Sequence, residues 1–473
     1  MLTGKNRLSP FRIRWRIFAF LFGFGFIAYL QQKSITIAAE PMMPGLGLSQ
    51  LQIGWLEQAF VIGYAVFQIP VGIFAERFGA RGALVLMGLI AFVAMIATPI
   101  APSFVSGQEL FIVLLGLQLL LGIAQAATFP VSAGLFQEWF PPNRWASVVG
   151  LQTMGLQLGA AMTPPLIASL MHSFGWRYAL FWTTLPALGF VLWWARYGRN
   201  TPREHPAVSA EELAEIGNHR VTRVNSSISA EQVLRALANR NVILLTISYM
   251  TMNYAFYLIS NWAFLYLIQE RHFSVLESGW LSAAPPLAAA LGAGMGGVLT
   301  GWACLRYGQR NGFRRVPLFA LPAAGLLLLL VVHAVNAYWA VVALALCFGC
   351  VELTEGAFWG AVMTVGRSDT MVVSSFMNTG GTMGGIIGIP IVAYLSGHHQ
   401  WHAAFSIGAG LAVVSAVAWF AIDVADPVGE ADCKRQCMWP AKQFIDSIRE
   451  SNVDVRTSKR SREIDTKRSI SGC

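Results

Sequence analysis

The sequence predicts an all-α membrane protein of twelve transmembrane helices, arranged as two pseudo-symmetric six-helix halves. Three observations carry that prediction. The chain is 55% hydrophobic and only 12% charged, with mean hydropathy +0.54, whereas a soluble domain carries about 25% charged residues. About twelve apolar runs reach the roughly 20 residues that a bilayer crossing needs. Basic residues gather after every second run, as the positive-inside rule requires of alternating spans.

In chain order the runs lie near 17–39, 52–74, 82–103, 110–138, 146–171, 176–197, 241–269, 277–304, 315–336, 338–366, 371–397 and 401–424. The first is too long for a signal-peptide core and lacks a small-residue cleavage site. Arg12, Arg14 and Arg16 precede span one, Arg77 and Arg81 follow span two, and Arg144 follows span four. Arg196 and Arg199 follow span six, Arg306, Arg310, Arg314 and Arg315 follow span eight, and Arg367 follows span ten. All fall on one side of the membrane, and the opposite loops hold little beyond Arg177 and Arg271. Both termini are therefore expected in the cytoplasm, with the protein in an inner or plasma membrane. The net charge of +9 is read as this topology signal, not as a nucleic-acid footprint.

Four segments follow: a first half over 1–196, a central cytoplasmic linker over 197–240, a second half over 241–425 and a basic tail over 426–473. The linker is polar from Thr201 to Pro206, and 210–220 is expected to form a short surface helix. The serine-containing tail is expected to be disordered. Cys433 and Cys437 have a spacing that suits a metal, but no histidine accompanies them; no metal site, cofactor or nucleic-acid partner is expected. The halves echo each other. Pro164-Pro165-Leu166-Ile167-Ala168-Ser169-Leu170 leads to Trp176-Arg177-Tyr178, as Ile389-Pro390-Ile391-Val392-Ala393-Tyr394-Leu395 leads to Trp401-His402-Ala403. Six plus six repeated spans is a transporter architecture, and the glycines of spans five, eight and eleven allow close, sliding helix contacts.

Between spans two and three stands Gly72-Ile73-Phe74-Ala75-Glu76-Arg77-Phe78-Gly79-Ala80-Arg81. The pattern resembles the loop between the second and third helices of major facilitator transporters. That resemblance implies a gate in which Gly72 and Gly79 permit close packing while Glu76, Arg77 and Arg81 form a breakable latch. Trp139-Phe140-Pro141-Pro142-x-Arg144, Gly175-Trp176-Arg177 and the linker from Thr201 to Ile216 resemble the anion:cation symporter branch of those transporters. That branch includes galactonate, hexuronate and phthalate carriers and vesicular glutamate and sialic acid carriers. Membership implies transport of a small organic anion with protons or sodium by a monomer in the lipid bilayer. The chain departs from the branch where charge matters. Gln31 and Gln32 stand where span one usually has Asp-Arg, and Gln118 and Gln125 stand where span four has Arg and Glu.

Polar residues inside spans are unfavourable and therefore informative. Gln32 and Lys33 in span one, Gln125 in span four, Asn261 in span seven and Glu352 and Glu355 in span ten fall one to each three-helix unit, with Asn378 added from span eleven. Equivalent helices of a repeat face one cavity. The expected substrate site is therefore Tyr29, Gln32, Lys33, Gln125, Asn261 and Asn378, with Trp262 and Trp359 as walls. Glu352 and Glu355, three apart on one helix face, repel each other in a low dielectric and are candidate proton-coupling groups. No nucleophile–base set appears, so the chain is not read as an enzyme. The expected function is secondary active transport of a small polar organic solute, an organic anion such as a sugar acid. The alternatives are a cation or metal carrier using Glu352 and Glu355, and a non-transporting membrane sensor of the same fold.

Overall fold

A computed structural model describes residues 12–217, 233–234 and 237–424. The tail from 426, with Cys433 and Cys437, lies outside the described residues, as does the linker from 218 to 232. The described chain is helical, and nine of its apolar runs are long enough to cross a bilayer. Three of these, of 56, 50 and 61 residues, rise at least about 75 Å at 1.5 Å per residue, more than two bilayer cores. Each doubles back and supplies two crossings, so the twelve expected spans are present.

The reversals are abrupt. Gly175 breaks Trp145–Tyr197 at φ 79°, and Gly308 breaks Ala284–His333 at φ 77°. Gly79, at φ 91°, turns Gln50–Phe78 into Ala80–Ile100 in the same way. A side chain at this φ would be strained, so glycine is what allows a hairpin with a single non-helical residue. The sequence places a charged loop between spans eight and nine, up to residue 315; the chain is instead helical on both sides of Gly308. Span nine accordingly runs over 309–333, and span eight over 284–307 behind a short helix, Val275–Leu281. The other spans are Ile13–Leu46, Arg240–Gln269, Thr370–Gly397 and Trp401–Ala421, with spans four and ten each built from two segments.

Spans two and eleven pack across the halves, as do spans five and eight. Hydrogen bonds join the halves from mid-height to the arginine-rich face. Asn378 Nδ2 donates to Tyr64 Oη (2.9 Å) and Gln68 Nε2 to Thr382 Oγ1 (3.2 Å) at mid-height. Nearer the basic face, Ser147 Oγ donates to the Gly297 carbonyl (3.1 Å) and Gln137 Nε2 to that of Arg367 (2.8 Å). The halves are thus closed together on the basic side.

The first part of the linker belongs to the first half. Its expected helix is present as Ala210–Ile216, capped by Ser209. The buried Glu212 carboxylate accepts the backbone N–H groups of Ile13 (3.2 Å) and Arg14 (3.0 Å), the unpaired donors that open span one. Glu215 binds Arg14 (2.6 Å) and Arg12, and His205 sits edge-on to Tyr197 and Trp139. A carboxylate at a helix N-terminus is favoured by both hydrogen bonding and the dipole. Glu212→Ala is therefore expected to lower stability by about 1–2 kcal/mol, read as a lower melting temperature in thermal unfolding. Exposed Glu211→Ala should leave the melting temperature unchanged.

Candidate functional site

A cavity lies between the halves at mid-height. Two helix breaks shape it. Span four stops at Gln125 and resumes at Thr128, and span ten stops at Glu352 and resumes at Glu355. Pro130 has no N–H to continue the ladder through the first break. At the second, Thr354 Oγ1 turns back onto the Val351 carbonyl (2.7 Å). Each break presents a pair of side chains three residues apart. Gln125 and Thr128 line the cavity from one half, and Glu352 and Glu355 line it from the other.

Both carboxylates are buried, at 2% and 5% exposure. Glu355 Oε2 accepts Trp359 Nε1–H (2.8 Å) and Tyr249 Oη–H (3.2 Å). Glu352 has the Gln157 amide within hydrogen-bonding reach, but its Oε2 has no partner. Tyr29, Gln32 and Asn378 also line the cavity. Gln125 Nε2 donates to the Ala28 carbonyl (3.1 Å), which fixes its amide against span one. Among the described residues no Lys, Arg or His lines the cavity. Its polar surface is amide, phenol, hydroxyl and carboxyl.

Four of the expected substrate residues stand elsewhere. Lys33 is half-buried beside span two, where Glu57 is the charge acting on it and Thr36 Oγ1 also binds Glu57 (2.8 Å). The reason is helical: Gln32 faces the cavity, so the next side chain points roughly 100° away. Asn261 lies eight residues past the cavity residue Asn253, roughly 12 Å along span seven, and is exposed, with half-buried Trp262 beside it. Trp359 is fully buried behind the lining, stacked on Phe129 at 5.1 Å. It positions Glu355 and forms no wall.

Sequence reasoning missed Tyr64, Phe129, Gln157, Tyr249 and Tyr257, all of which line the cavity. Three of these lie in spans two, four and five; a rule of one polar residue per three-helix unit gives no reason to look there. The tyrosine hydroxyls inside apolar runs were the available signal.

The latch makes a backbone contact across the halves. A Cβ on Gly72 would lie 2.2 Å from Ser375 Oγ and 2.8 Å from the Met371 carbonyl, so only glycine fits against span eleven. Glu76 Oε1 accepts the Met371 N–H (2.8 Å) across the halves, at the positive end of that helix. Arg77 lies over the Phe78 ring, and Arg81 binds Asn200 (2.8 Å) and the Ala195 carbonyl within its own half.

With this geometry in place, the comparisons are consistent. Among curated proteins, the "Probable sulfoacetate transporter" of Cupriavidus necator is 29% identical over 78% of this chain and 84% of its own length. The "Hexuronate transporter" of Bacillus subtilis is 25% identical over 85% of this chain and 93% of its own. Among solved structures, the transporter FucP in its outward conformation superposes with a TM-score of 0.70 at 16% identity, covering 87% of this chain and all of that one. The proton:xylose symporter XylE gives 0.70 at 13% identity, covering 86% of this chain and 96% of that one. At such identities the two structures speak for the fold alone. A family profile described as Major Facilitator Superfamily matches residues 21–370, most of the membrane body, and the chain belongs to that superfamily.

Proposed function

We propose that the protein is a proton-coupled carrier of a small organic anion, a sugar acid or comparable carboxylate, working by alternating access. The observation that carries this reading is the cavity lining: two buried carboxylates and, among the described residues, no basic residue, between halves that meet on the basic side. An anion entering beside two ionised carboxylates would meet repulsion that a low dielectric does not screen. Protons on Glu352 and Glu355 remove that repulsion and turn both groups into hydrogen-bond donors. Anion entry therefore requires prior proton uptake, which is symport by charge balance. Tyr29, Gln32, Gln125 and Asn378 supply further hydrogen bonds, and the likeness to a protein named as a probable sulfoacetate transporter and to one named as a hexuronate transporter supports the substrate class. The arginine-rich face is taken as cytoplasmic, which makes the present state outward-facing. The carrier is proposed to act as a monomer in the inner or plasma membrane, without a cofactor.

The same carboxylates favour one other reading, a cation carrier. A counterflow panel in proteoliposomes separates the two. Hexuronate, glucarate, sulfoacetate, a neutral hexose and divalent cations are offered with and without an inward proton gradient. The expected result is exchange of at least one anion, stimulated by external acid, with no cation flux. Divalent-cation flux abolished by Glu355→Gln would replace the anion reading, and binding without flux would point to a sensor.

A further inference from the structure

We infer that the recess where spans three and six reach the basic face is a binding site for the phosphate of an anionic phospholipid. Its walls are Arg81, Leu192, Ala195, Arg196 and Arg199. No carboxylate lines it, and among the described residues none of the three arginines forms an ion pair. Arg81 reaches the Ala195 carbonyl, and Arg199 Nη1 donates to the carbonyls of Arg196 (3.0 Å) and Gly198 (2.7 Å). Each guanidinium has five donors, so most of them stay free.

The second half supplies the contrast. Gly308 turns span eight into nine as Gly79 turns span two into three, and Arg310 stands two residues past Gly308 as Arg81 stands two past Gly79. There Arg310 pairs with Asp423 at 3.2 Å, just beyond span twelve, and Arg314 Nε donates to the Ile422 carbonyl (2.9 Å). Just beyond span six the chain has Arg199 and Asn200 instead. The second half thus pairs an arginine with an acid at this corner, while in the first the nearby Glu204 carboxylate is taken up by Asn200 N–H (3.2 Å) and Thr201 Oγ1 (3.1 Å) and, among the described residues, the three arginines of the recess form no ion pair.

The surroundings select the anion's source. Leu192 and Trp193 are 57% and 59% exposed on the outer surface of span six, and Leu185, two turns away on the same face, is 38% exposed. A phospholipid lays its phosphate on the arginines and its hydrocarbon along these side chains, whereas free phosphate satisfies the charges alone. Guanidinium forks match phosphate geometry.

The test titrates the full-length protein in phosphatidylcholine nanodiscs with phosphatidylglycerol, read by native mass spectrometry. Wild type is expected to retain phosphatidylglycerol in preference to phosphatidylcholine. Arg196→Gln/Arg199→Gln should weaken this about thirty-fold, or about 2 kcal/mol at the usual contribution of an arginine near anionic lipid. Exposed Arg196→Gln alone, the milder variant, should weaken it about fivefold. Arg306→Gln/Arg315→Gln removes the same charge from the other half and should change it less than twofold. Equal loss in both double variants would mean diffuse attraction and overturn the site. So would the absence of any preference in wild type, displacement by inorganic phosphate, or a gain of lipid on deleting 426–473.

Discussion

Glu352→Gln/Glu355→Gln is expected to abolish proton-driven accumulation while leaving substrate counterflow measurable. A proton gradient of one pH unit is worth about 1.4 kcal/mol, tenfold in concentration for each proton carried. Wild-type vesicles with an inward gradient of that size should therefore accumulate the anion about tenfold or more above equilibrium; the double variant should not exceed equilibrium. The prediction rests on placement. The two carboxyls flank one helix break and line the cavity, with no cation beside them in the lining. An amide keeps the size and one acceptor of a protonated acid but takes up no proton. It mimics the loaded state permanently, so exchange survives while coupling is lost. Glu355→Gln should be the more damaging single change, because Glu355 also organises Tyr249 and Trp359 across spans seven and ten. Accumulation that still follows the proton gradient in the double variant would make both acids structural.

The fold was largely legible because a membrane span needs both length and apolarity, and arginines mark every second loop. What the pattern did not give was rotation about each helix. Gln32 and Lys33 are neighbours in sequence, both polar and both inside a span, but only Gln32 lines the cavity. Composition says that a polar group is buried, and it does not say which of four neighbouring helices it faces. The breaks in spans four and ten were also hidden. Ala126-Ala127 and Leu353-Thr354 lack the glycine that punctuates the hairpins at Gly79, Gly175 and Gly308. The latch was identified by its charges, but its contact across the halves uses Glu76 against a backbone N–H of span eleven, a geometry that no side-chain motif encodes.

The closed basic face makes the second large prediction. Gly297→Val should reduce transport at least a hundredfold in a protein that still folds, whereas Gly296→Val should fail to fold. The two glycines are adjacent and point in different directions. A Cβ on Gly296 would lie 1.9 Å from the Leu353 carbonyl, which belongs to its own half and stays beside it throughout any rocking motion. A Cβ on Gly297 would lie 2.6 Å from the Ala146 carbonyl and 2.9 Å from Gly150 Cα, both in the other half. Backbone cannot rotate aside as a side chain can, so the conflict is relieved only if spans five and eight separate. Overpacking of this kind costs about 1–3 kcal/mol, enough to move a two-state ratio by roughly five- to 150-fold, and the larger bulk of valine places it at the upper end. The population should therefore shift to states that are open on the basic side. A cysteine at Gln137, half-exposed on that seam, placed in a background without the native thiols, should react faster with an impermeant reagent applied from the basic face in Gly297→Val than in its parent. Normal transport by Gly297→Val would mean that spans five and eight never need to approach this closely. Equal failure of both variants to fold would mean that the contact is part of the static body and not of the gate.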